Sequence, residues 1–483
     1  MINMNIKNQA ENLDLNNLDA IYFIGIGGIG VSALAFWCIE RNIKVFGYDR
    51  EKNNITNKIQ LQGGEVFYDY NILSGEHKSK SRHFAVLNSF VKNSNSIVVF
   101  SAAIKINHPI RSFFDFNKVK SIKRADFLGL ISANYKVVAI AGTHGKTTIS
   151  TILTHLLKTS GNDCTAFLGG VSKNYESNFV LGSNNIMVIE ADEYDKSFLH
   201  LKANIILISS IDKDHSDTYP TYLDMYNSYI KFVVNSLPNL SNLIIKKNII
   251  LQSEDLPEIT EYSLSETADY NLNFRDNKLG GLELTFLEKN KKTNNFKKLK
   301  TFNVSKQPEH NLENFLAASI IALKLGVNIN DIAKGITSFL GVKRRFEYHI
   351  NTKKQIFIED YAHHPEEINV LIGSLRKMFE FKKITMIFQP HLFSRTKDFL
   401  NEFAVSLSKV DTLVLLDIYP ARELPIKGFS INKLFGLIKL EDKVLVSKEK
   451  LIPLISKLKP ELLLSVGAGD ITIYSEELKR VLL

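Results

Sequence analysis

Apolar positions along the chain group into short runs separated by helical patterns, in three successive blocks. In the first block, to about residue 125, the runs "AIYFIGIG", "IKVFGYD" and "SIVVFSAAI" alternate with helical patterns. This alternation is typical of βαβ units, in which parallel strands are joined by helices. The first block therefore predicts a parallel α/β sheet.

The second and third blocks repeat this pattern with different details. The second begins near "YKVVAIAG", continues through "NIMVIEAD" and "ANIILISSID" into several antiparallel-looking strands, and ends in two helical patterns near residue 340. The third runs from about Gly341 and holds five strand-like runs separated by helices. A length of 483 residues fits three domains, at roughly 100 to 200 residues each. We predict an α/β protein with domains at 1–125, 126–340 and 341–483.

A net charge of +9 raises the question of a polyanionic partner. Much of the excess lies in "KNKKTNNFKKLK" (289–300), between the alternating runs "GLELTFLEK" and "KLKTFNV", which together predict a solvated hairpin tip. Aromatic residues do not interleave there in the stacking pattern that favours nucleic-acid binding. We therefore expect no nucleic-acid partner.

Cysteine content and the N-terminal region bear on the compartment. Cys38 and Cys164 lie far apart in apolar elements, so neither a disulfide framework nor a cysteine-rich metal site is expected, and a cytoplasmic location fits best. Residues 1–17 are polar, unlike a signal peptide. Residues 20–39 carry no charge, but "GIGGIG" at their centre predicts a strand, a nucleotide-binding turn and a helix, so membrane insertion is not expected.

The stretch "VVAIAGTHGKTTISTILTHLL" (137–157) predicts a phosphate-binding loop between a strand and a helix. Lys146 would reach the β- and γ-phosphate oxygens of a nucleotide, and Thr147 could ligate Mg²⁺. Ile140 stands where the usual spacing has glycine, and Gly142 is expected to substitute for it. The other predicted loop residues are Thr143, His144, Gly145 and Thr148.

Two acidic clusters follow the next strands. Glu190 and Asp192 end "NIMVIEAD"; Asp212 ends "IILISSID", and Asp214, His215 and Asp217 follow it. Either cluster alone is as often a solvated loop as a site. Beside a phosphate loop they predict a metal site, because Thr147, Glu190 and His215 offer mixed oxygen and nitrogen ligation that admits Mg²⁺ and suits Mn²⁺.

The first and third blocks carry weaker signals. "GIGGIG" followed by Asp49 matches a dinucleotide fingerprint, although any diphosphate-bearing ligand satisfies the same geometry. A nicotinamide-dependent oxidoreductase would use this turn but would leave the second phosphate loop without a role. In the third block, Arg344 and Arg345 offer forked donors for carboxylate or phosphate, and His363 and His364 follow a strand. Two adjacent histidines are more often a loop residue and a core contact.

Taken together, ten strings resemble the Mur ligases of peptidoglycan synthesis, in the family's order and over nearly the whole chain. They are "FIGIGGIGVSALA", "SAAIKINHP", "AGTHGKTT", "EADEYDKSFL", "DHSDTY", "HNLEN", "GVKRRFE", "DYAHHPEEI", "FQPHLFSRT" and "DIYPARE". The resemblance is strongest to the branch that joins L-alanine to the lactyl carboxylate of UDP-N-acetylmuramate through an acyl phosphate made with ATP. It implies a Rossmann-like UDP-binding domain, a central P-loop ATPase-like mixed sheet and a Rossmann-like third domain that closes on ATP and the amino acid.

The resemblance also implies roles for individual residues. Lys146 would contact the γ-phosphate, and Thr147, Glu190 and His215 the metals; Lys146, Glu190 and His215 are the expected catalytic residues. Asp360 would approach the nucleotide from the third domain. His310, Asn311 and Asn314 are implied at the ATP base and ribose. Gly25, Gly27, Gly28, Gly30, Asp49 and Ser101 are implied at the UDP moiety. Arg344, Arg345, Tyr361, His363 and Arg395 are implied at substrate carboxylates and the amino acid.

Three positions depart from the family pattern: Tyr48, Pro308 and Leu392, the last where many members carry arginine. The nearest alternative is the recycling ligase that adds a preformed tripeptide to the same UDP-sugar. A third alternative is a non-catalytic nucleotide-binding regulator. The presence of Lys146 and Glu190 disfavours it, because such a regulator would be expected to lose phosphate-binding and metal-binding residues. Either a monomer or a homodimer is compatible with the sequence.

Overall fold

The computed structural model describes residues 14–69, 81–212, 218–252, 256–278, 280–421 and 423–483. Contacts divide the chain into two compact units: residues up to 305 with 312–340, and residues 306–311 with 341–483. One apolar core in the first unit extends from Trp37 and Ile122 to Ile189 and Phe232. The predicted boundary at residue 125 therefore lies inside a shared core, and the three-domain division stays a prediction.

The N-terminal sheet has five parallel strands in the order β3-β2-β1-β4-β5. Its strands are β1 Ala20–Ile24, β2 Lys44–Tyr48, β3 Glu65–Phe67, β4 Ser96–Phe100 and β5 Ser121–Lys123. Its helices are α1 Ile29–Ile39, α2 Asn54–Leu61, α3 Arg82–Lys92, α4 Pro109–Phe116 and α5 Arg124–Ser132. The strand order reverses between β1 and β4, and ligands of such sheets bind at this crevice beyond the carboxyl ends.

The central sheet is mixed and has ten strands, in the order β15-β14-β13-β12-β11-β10-β6-β9-β7-β8. Its strands are β6 Lys136–Ala141, β7 Thr165–Ser172, β8 Ser177–Val180, β9 Ile186–Glu190, β10 Ile205–Ile208, β11 Asn242–Lys246, β12 Ile259–Ser263, β13 Tyr270–Asp276, β14 Leu282–Lys289 and β15 Phe296–Val304. Its helices are α6 Lys146–Thr159, α7 Tyr222–Ser236, α8 Glu309–Lys324 and α9 Ile329–Ser338.

Strand directions in this sheet confirm one expectation and correct another. β14 and β15 pair antiparallel, which confirms the hairpin around residues 290–295. The strands after β10 were expected to be antiparallel, but β11, β12 and β13 continue the parallel ladder. The 12 or so residues between β11 and β12 are long enough for the crossover that parallel pairing requires.

The second unit contains a six-stranded sheet in the order β16-β17-β21-β18-β19-β20, parallel except for β16. Its strands are β16 Glu347–Asn351, β17 Ile356–Asp360, β18 Ile384–Phe388, β19 Thr412–Leu415, β20 Lys443–Leu445 and β21 Leu462–Val466. Its helices are α10 Pro365–Met378, α11 Phe393–Asp398, α12 Leu400–Leu407, α13 Ile431–Leu437, α14 Lys448–Leu458 and α15 Ser475–Leu482. The predicted α/β class is confirmed.

The uncharged stretch 20–39 folds as β1, a turn and the 11-residue helix α1. Within the described ranges, every helix is too short or too polar to cross a membrane.

Candidate active site

The loop between β6 and α6 has the backbone of a phosphate cradle. Gly142 and Gly145 adopt φ of +127° and +82°, a region that side chains with a Cβ rarely enter. A Cβ on Gly142 would also lie 2.2 Å from the Ser209 hydroxyl oxygen. Glycine is therefore required at both positions, and the N–H groups that open α6 are directed toward the loop.

Lys146 is folded back over this loop. Its Nζ donates to the carbonyl oxygens of Gly142 (2.6 Å) and Thr143 (3.3 Å) and pairs with Glu193 at 2.8 Å. Glu193 is fully buried, at 0% exposure. Burial disfavours the charged amine, but the carboxylates of Glu193 and Glu190 outweigh it and raise the pKa of Lys146. Sequence reasoning did not single out Glu193.

Glu190 connects the loop helix to a neighbouring strand. It accepts hydrogen bonds from the Thr147 hydroxyl (3.0 Å) and the Gly169 N–H (2.9 Å). A Cβ on Gly169 would lie 2.2 Å from the Glu190 carboxylate, so glycine is needed there too. Two adjacent oxygen donors suit Mg²⁺. His215, the third expected ligand, lies outside the described residues, as do Asp214 and Asp217.

The end of β10 supports the other side of the loop. Thr143 exchanges hydrogen bonds with the backbone of Asp212, whose carboxylate lies 3.6 Å from the His144 ring. A Cβ on Gly145 would lie 2.7 Å from the Asn314 amide oxygen, which places the predicted Asn314 beside the loop. Thr148 is half-buried in the first turn of α6.

The glycine-rich turn after β1 lies at the crevice of the N-terminal sheet. Gly25 adopts φ of +85°, and its Cβ position is 3.6 Å from the Ser101 side chain. The Gly27 N–H donates to the Asp49 carboxylate at 2.7 Å. Asp49 thus shapes the turn, and Gly28 precedes the first residue of α1.

Beyond β9, residues 190–195 form a turn that we term the acidic turn. It carries Glu190 and Glu193 toward the phosphate loop. Asp192 lies 3.5 Å from Arg124, the first residue of α5. Asp195 pairs with Lys123 at 2.9 Å and adopts φ of +51°. The sequence singled out Asp192 but offered no partner for it.

In the second unit, predicted residues gather at the carboxyl ends of β17 and β18. The Arg345 guanidinium lies 5.2 Å from the Tyr361 ring centre, and the His363 ring packs edge-on to Tyr361 at 5.4 Å. Arg395 lies 3.3 Å from Nδ1 of His391, a residue that the sequence reasoning left without a role. Burial and the Arg395 charge lower the pKa of His391 to about 4, so its ring is neutral at pH 7.

Arg344 is engaged within its own unit. Its guanidinium donates to the carbonyl oxygens of Gly467 and Gly469 and lies 3.4 Å from Glu359. His349 pairs with the same carboxylate at 2.8 Å. These contacts tie Arg344 to β17 and to the segment after β21. Its guanidinium also lies 4.7 Å from the Tyr361 ring centre, so both Arg344 and Arg345 lie over this ring.

The residues expected near the nucleotide from this unit are half-buried. Asp360 accepts the N–H groups of Phe346 (2.7 Å) and Ala362 (2.8 Å), and burial raises its pKa despite these bonds. Burial also lowers the pKa of His310 to about 4, and among the described residues its Nδ1 has no hydrogen-bond partner. The Asn311 amide donates to Gln307 at 3.0 Å.

The three departures from the family pattern fall in different settings. Leu392 adopts φ of +73°, an unfavourable conformation for leucine, and its N–H donates to the Tyr419 carbonyl at 2.9 Å. Tyr48 is buried in the N-terminal core, and the Pro308 carbonyl accepts the Asn311 N–H.

Three family models match successive parts of the chain. The model described as "Mur ligase family, catalytic domain" matches residues 20–136. "Mur ligase middle domain" matches residues 140–322, and "Mur ligase, glutamate ligase domain" matches residues 344–466. Together the three models span most of the chain.

Similar proteins cover nearly the whole chain. The UDP-N-acetylmuramate–L-alanine ligase of Cytophaga hutchinsonii is 36% identical, over 97% of both chains, and that of Parabacteroides distasonis is 38% identical, over 97% of this chain and 98% of its own. The solved UDP-N-acetylmuramate-alanine ligase of Thermotoga maritima superposes with a TM-score of 0.76 at 23% identity, covering 95% and 98%. A murein peptide ligase of Psychrobacter arcticus gives a TM-score of 0.64 at 19% identity, covering 96% and 98%. At these identities, the solved structures show the shared fold alone.

Proposed function

Because the chain belongs to the Mur ligase family, we propose that it joins L-alanine to the lactyl carboxylate of UDP-N-acetylmuramate, with cleavage of ATP to ADP and phosphate. The observation that carries this proposal is 36–38% identity, over nearly the full length, to relatives named for this reaction. The buried Lys146 and the Thr147–Glu190 pair provide phosphate-binding and metal-binding groups that the reaction needs.

Activation of the carboxylate is the first chemical requirement. A lactyl carboxylate oxygen attacks the γ-phosphorus, and the bond between this phosphorus and the bridging β-phosphate oxygen breaks. ADP departs, and the product is an acyl phosphate. Both reactants are anionic, so Lys146 must turn from Glu193 toward the γ-phosphate and neutralise the charge that develops there. Mg²⁺, which Mn²⁺ could replace, would supply further positive charge when bound. Thr147 and Glu190, with His215, are the proposed ligands.

Amide formation is the second step. The amine of L-alanine attacks the acyl carbon, and the tetrahedral intermediate expels phosphate. The amine must arrive unprotonated, so a base is useful, and His215 and His363 are the two candidates. Burial lowers the pKa of His363, so its ring is neutral. Arg345 and Arg395 are the proposed partners of the amino-acid carboxylate, because Arg344 is bound to backbone carbonyls and Glu359.

The UDP-sugar is assigned to the crevice of the N-terminal sheet. Gly25 to Gly30 bring backbone N–H groups close to a diphosphate, with Ser101 across the crevice. His310, Asn311, Asn314 and Asp360 are the proposed contacts of the ATP base and ribose. Closure of the third domain over ATP stays a prediction. We also propose a cytoplasmic location, which the buried free thiols of Cys38 and Cys164 support, and a monomeric or homodimeric state.

The decisive assay is phosphate release from ATP with Mg²⁺ and UDP-N-acetylmuramate, with L-alanine compared against the L-Ala-γ-D-Glu-diaminopimelate tripeptide. We expect release that requires L-alanine and is lost in Lys146→Ala. Release with the tripeptide alone would replace this proposal with the recycling activity, for which the Psychrobacter arcticus structure offers only a likeness of fold. Release with neither amine would refute both ligase assignments.

A further inference from the structure

The acidic turn connects the two anion-binding loops of the first unit. Its carboxylates contact two different helices. Glu190 and Glu193 contact α6, the helix that follows the phosphate loop. Asp192 and Asp195 contact basic residues at the start of α5. A change in the contacts between the acidic turn and α5 can therefore alter the contacts that the same turn makes with the phosphate-loop helix.

Arg124 lies between the glycine-rich turn and the acidic turn. A Cβ built on Gly30 would lie 3.0 Å from its Nη1 and 3.4 Å from its Cζ, so the guanidinium packs directly on the glycine-rich turn. On its other side, Nη2 lies 3.5 Å from Asp192, and only 18% of the side chain is exposed. The neighbouring Lys123 contacts the acidic turn through Asp195 and is 40% exposed.

We propose that Arg124 couples the two nucleotide sites, so that binding of a diphosphate at the glycine-rich turn promotes binding of ATP at the phosphate loop. The proposal rests on the function proposed above, which places a UDP-sugar at this turn. Arg124 is a positioning residue for the ATP site, because it acts there through Asp192.

The physical basis is competition for one guanidinium. At 3.5 Å the contact with Asp192 is a loose ion pair, whereas a diphosphate carries more charge and matches the fork of arginine with two parallel hydrogen bonds. When Arg124 turns to the diphosphate, Asp192 loses this contact, and the acidic turn is less constrained. Glu193 lies next in the chain and holds Lys146 against the loop carbonyls. When Glu193 shifts with the acidic turn and releases Lys146, the lysine can reach the γ-phosphate.

The coupling is measured as a ratio of dissociation constants. A non-hydrolysable ATP analogue with Mg²⁺ is titrated into the full chain, alone and with saturating UDP-N-acetylmuramate. We expect the sugar nucleotide to tighten analogue binding at least about fivefold in the unaltered protein, within the usual range of couplings between sites. Because coupling is reciprocal, the analogue should tighten binding of the sugar nucleotide by the same factor.

Two substitutions break the proposed contact from opposite sides. Asp192→Asn removes the charge that pairs with Arg124 but keeps an oxygen that can accept the Tyr194 N–H, which Asp192 now binds at 3.1 Å. Arg124→Gln removes the guanidinium. Each should bring the ratio to about one, and the double variant should add nothing further, because both changes remove one contact. Lys123→Gln is the matched control and should keep the full ratio.

The outcomes separate this inference from the proposed function. Alanine-dependent phosphate release by the unaltered chain tests the function alone. A ratio near one in that chain, an undiminished ratio in Asp192→Asn, or an equal loss in Lys123→Gln would each overturn the coupling. If Arg124→Gln no longer binds the sugar nucleotide, Asp192→Asn decides, since it leaves the glycine-rich turn intact. Trp37 fluorescence during heating verifies that each variant is folded.

Discussion

Replacing Glu193 with glutamine should destabilise the first unit strongly, although the change removes one charge and almost no volume. Glu193 is fully buried, and its partner Lys146 is only 12% exposed on its side chain. In Glu193→Gln the lysine keeps the carbonyl oxygens of Gly142 and Thr143 but loses its buried counter-charge.

The size of the effect follows from these contacts. Removing one partner of a buried ion pair costs about 3 to 5 kcal/mol, because the remaining charge is left uncompensated. The glutamine oxygen still accepts one hydrogen bond, and a hydrogen bond to a charged group contributes about 1.5 to 3 kcal/mol. We therefore expect a loss of about 2 kcal/mol in the free energy of unfolding.

The assay is urea unfolding followed by tryptophan fluorescence. Trp37 is the single tryptophan of the chain and is buried in the first unit, with its ring packed edge-on to Phe127 at 6.1 Å. The matched control is Glu261→Gln, which breaks the half-exposed pair with Lys247 (2.5 Å) in the same unit. Pairs of this kind contribute at most about 1 kcal/mol. Equal destabilisation by the two substitutions would refute the reasoning.

Three further predictions concern the metal site, the second unit and the amino acid. Gly169→Ala should push Glu190 aside and slow turnover at least about tenfold at low Mg²⁺, measured against Gly373→Ala, whose added Cβ meets no atom within 4 Å. A similar rate in both variants would contradict this role. The pKa of His310 is lower in the folded chain, so the unfolded chain is protonated there first as pH falls. The free energy of unfolding of the second unit should therefore decrease by about 3 kcal/mol between pH 6.5 and about 4. His310→Asn should reduce this slope in denaturation series across that range, and an unchanged slope would count against the assignment. Arg395→Lys should raise KM for L-alanine about tenfold without changing KM for ATP, because lysine lacks the fork; equal changes in both constants would exclude a specific contact.

Much of the fold was predictable from local pattern. The apolar runs that became β1, β6, β9 and β10 are recognisable because buried parallel strands are apolar on both faces. The phosphate loop was predictable because its glycines and Lys146 lie within a few residues of one another, between a strand and a helix. The directions of later strands were not predictable, since β12 (ITEYS) and β13 (YNLNFRD) mix polar and apolar residues as antiparallel strands often do, yet both pair parallel with their preceding strand.

By itself, the amino-acid sequence determined the α/β class, the phosphate loop and the set of polar residues at strand ends, because each depends on neighbours in the chain. Tertiary structure alone decided which of these residues meet. Glu193 and Asp192 are adjacent in the acidic turn, yet one pairs with Lys146, 47 residues away, and the other with Arg124. Likewise, Arg344 and Arg345 both lie over the Tyr361 ring, and Arg344 also donates to the Gly469 carbonyl oxygen. Non-repeating backbone angles, such as φ of +51° at Asp195 and +61° at Arg344, set these directions, and no sequence period encodes them.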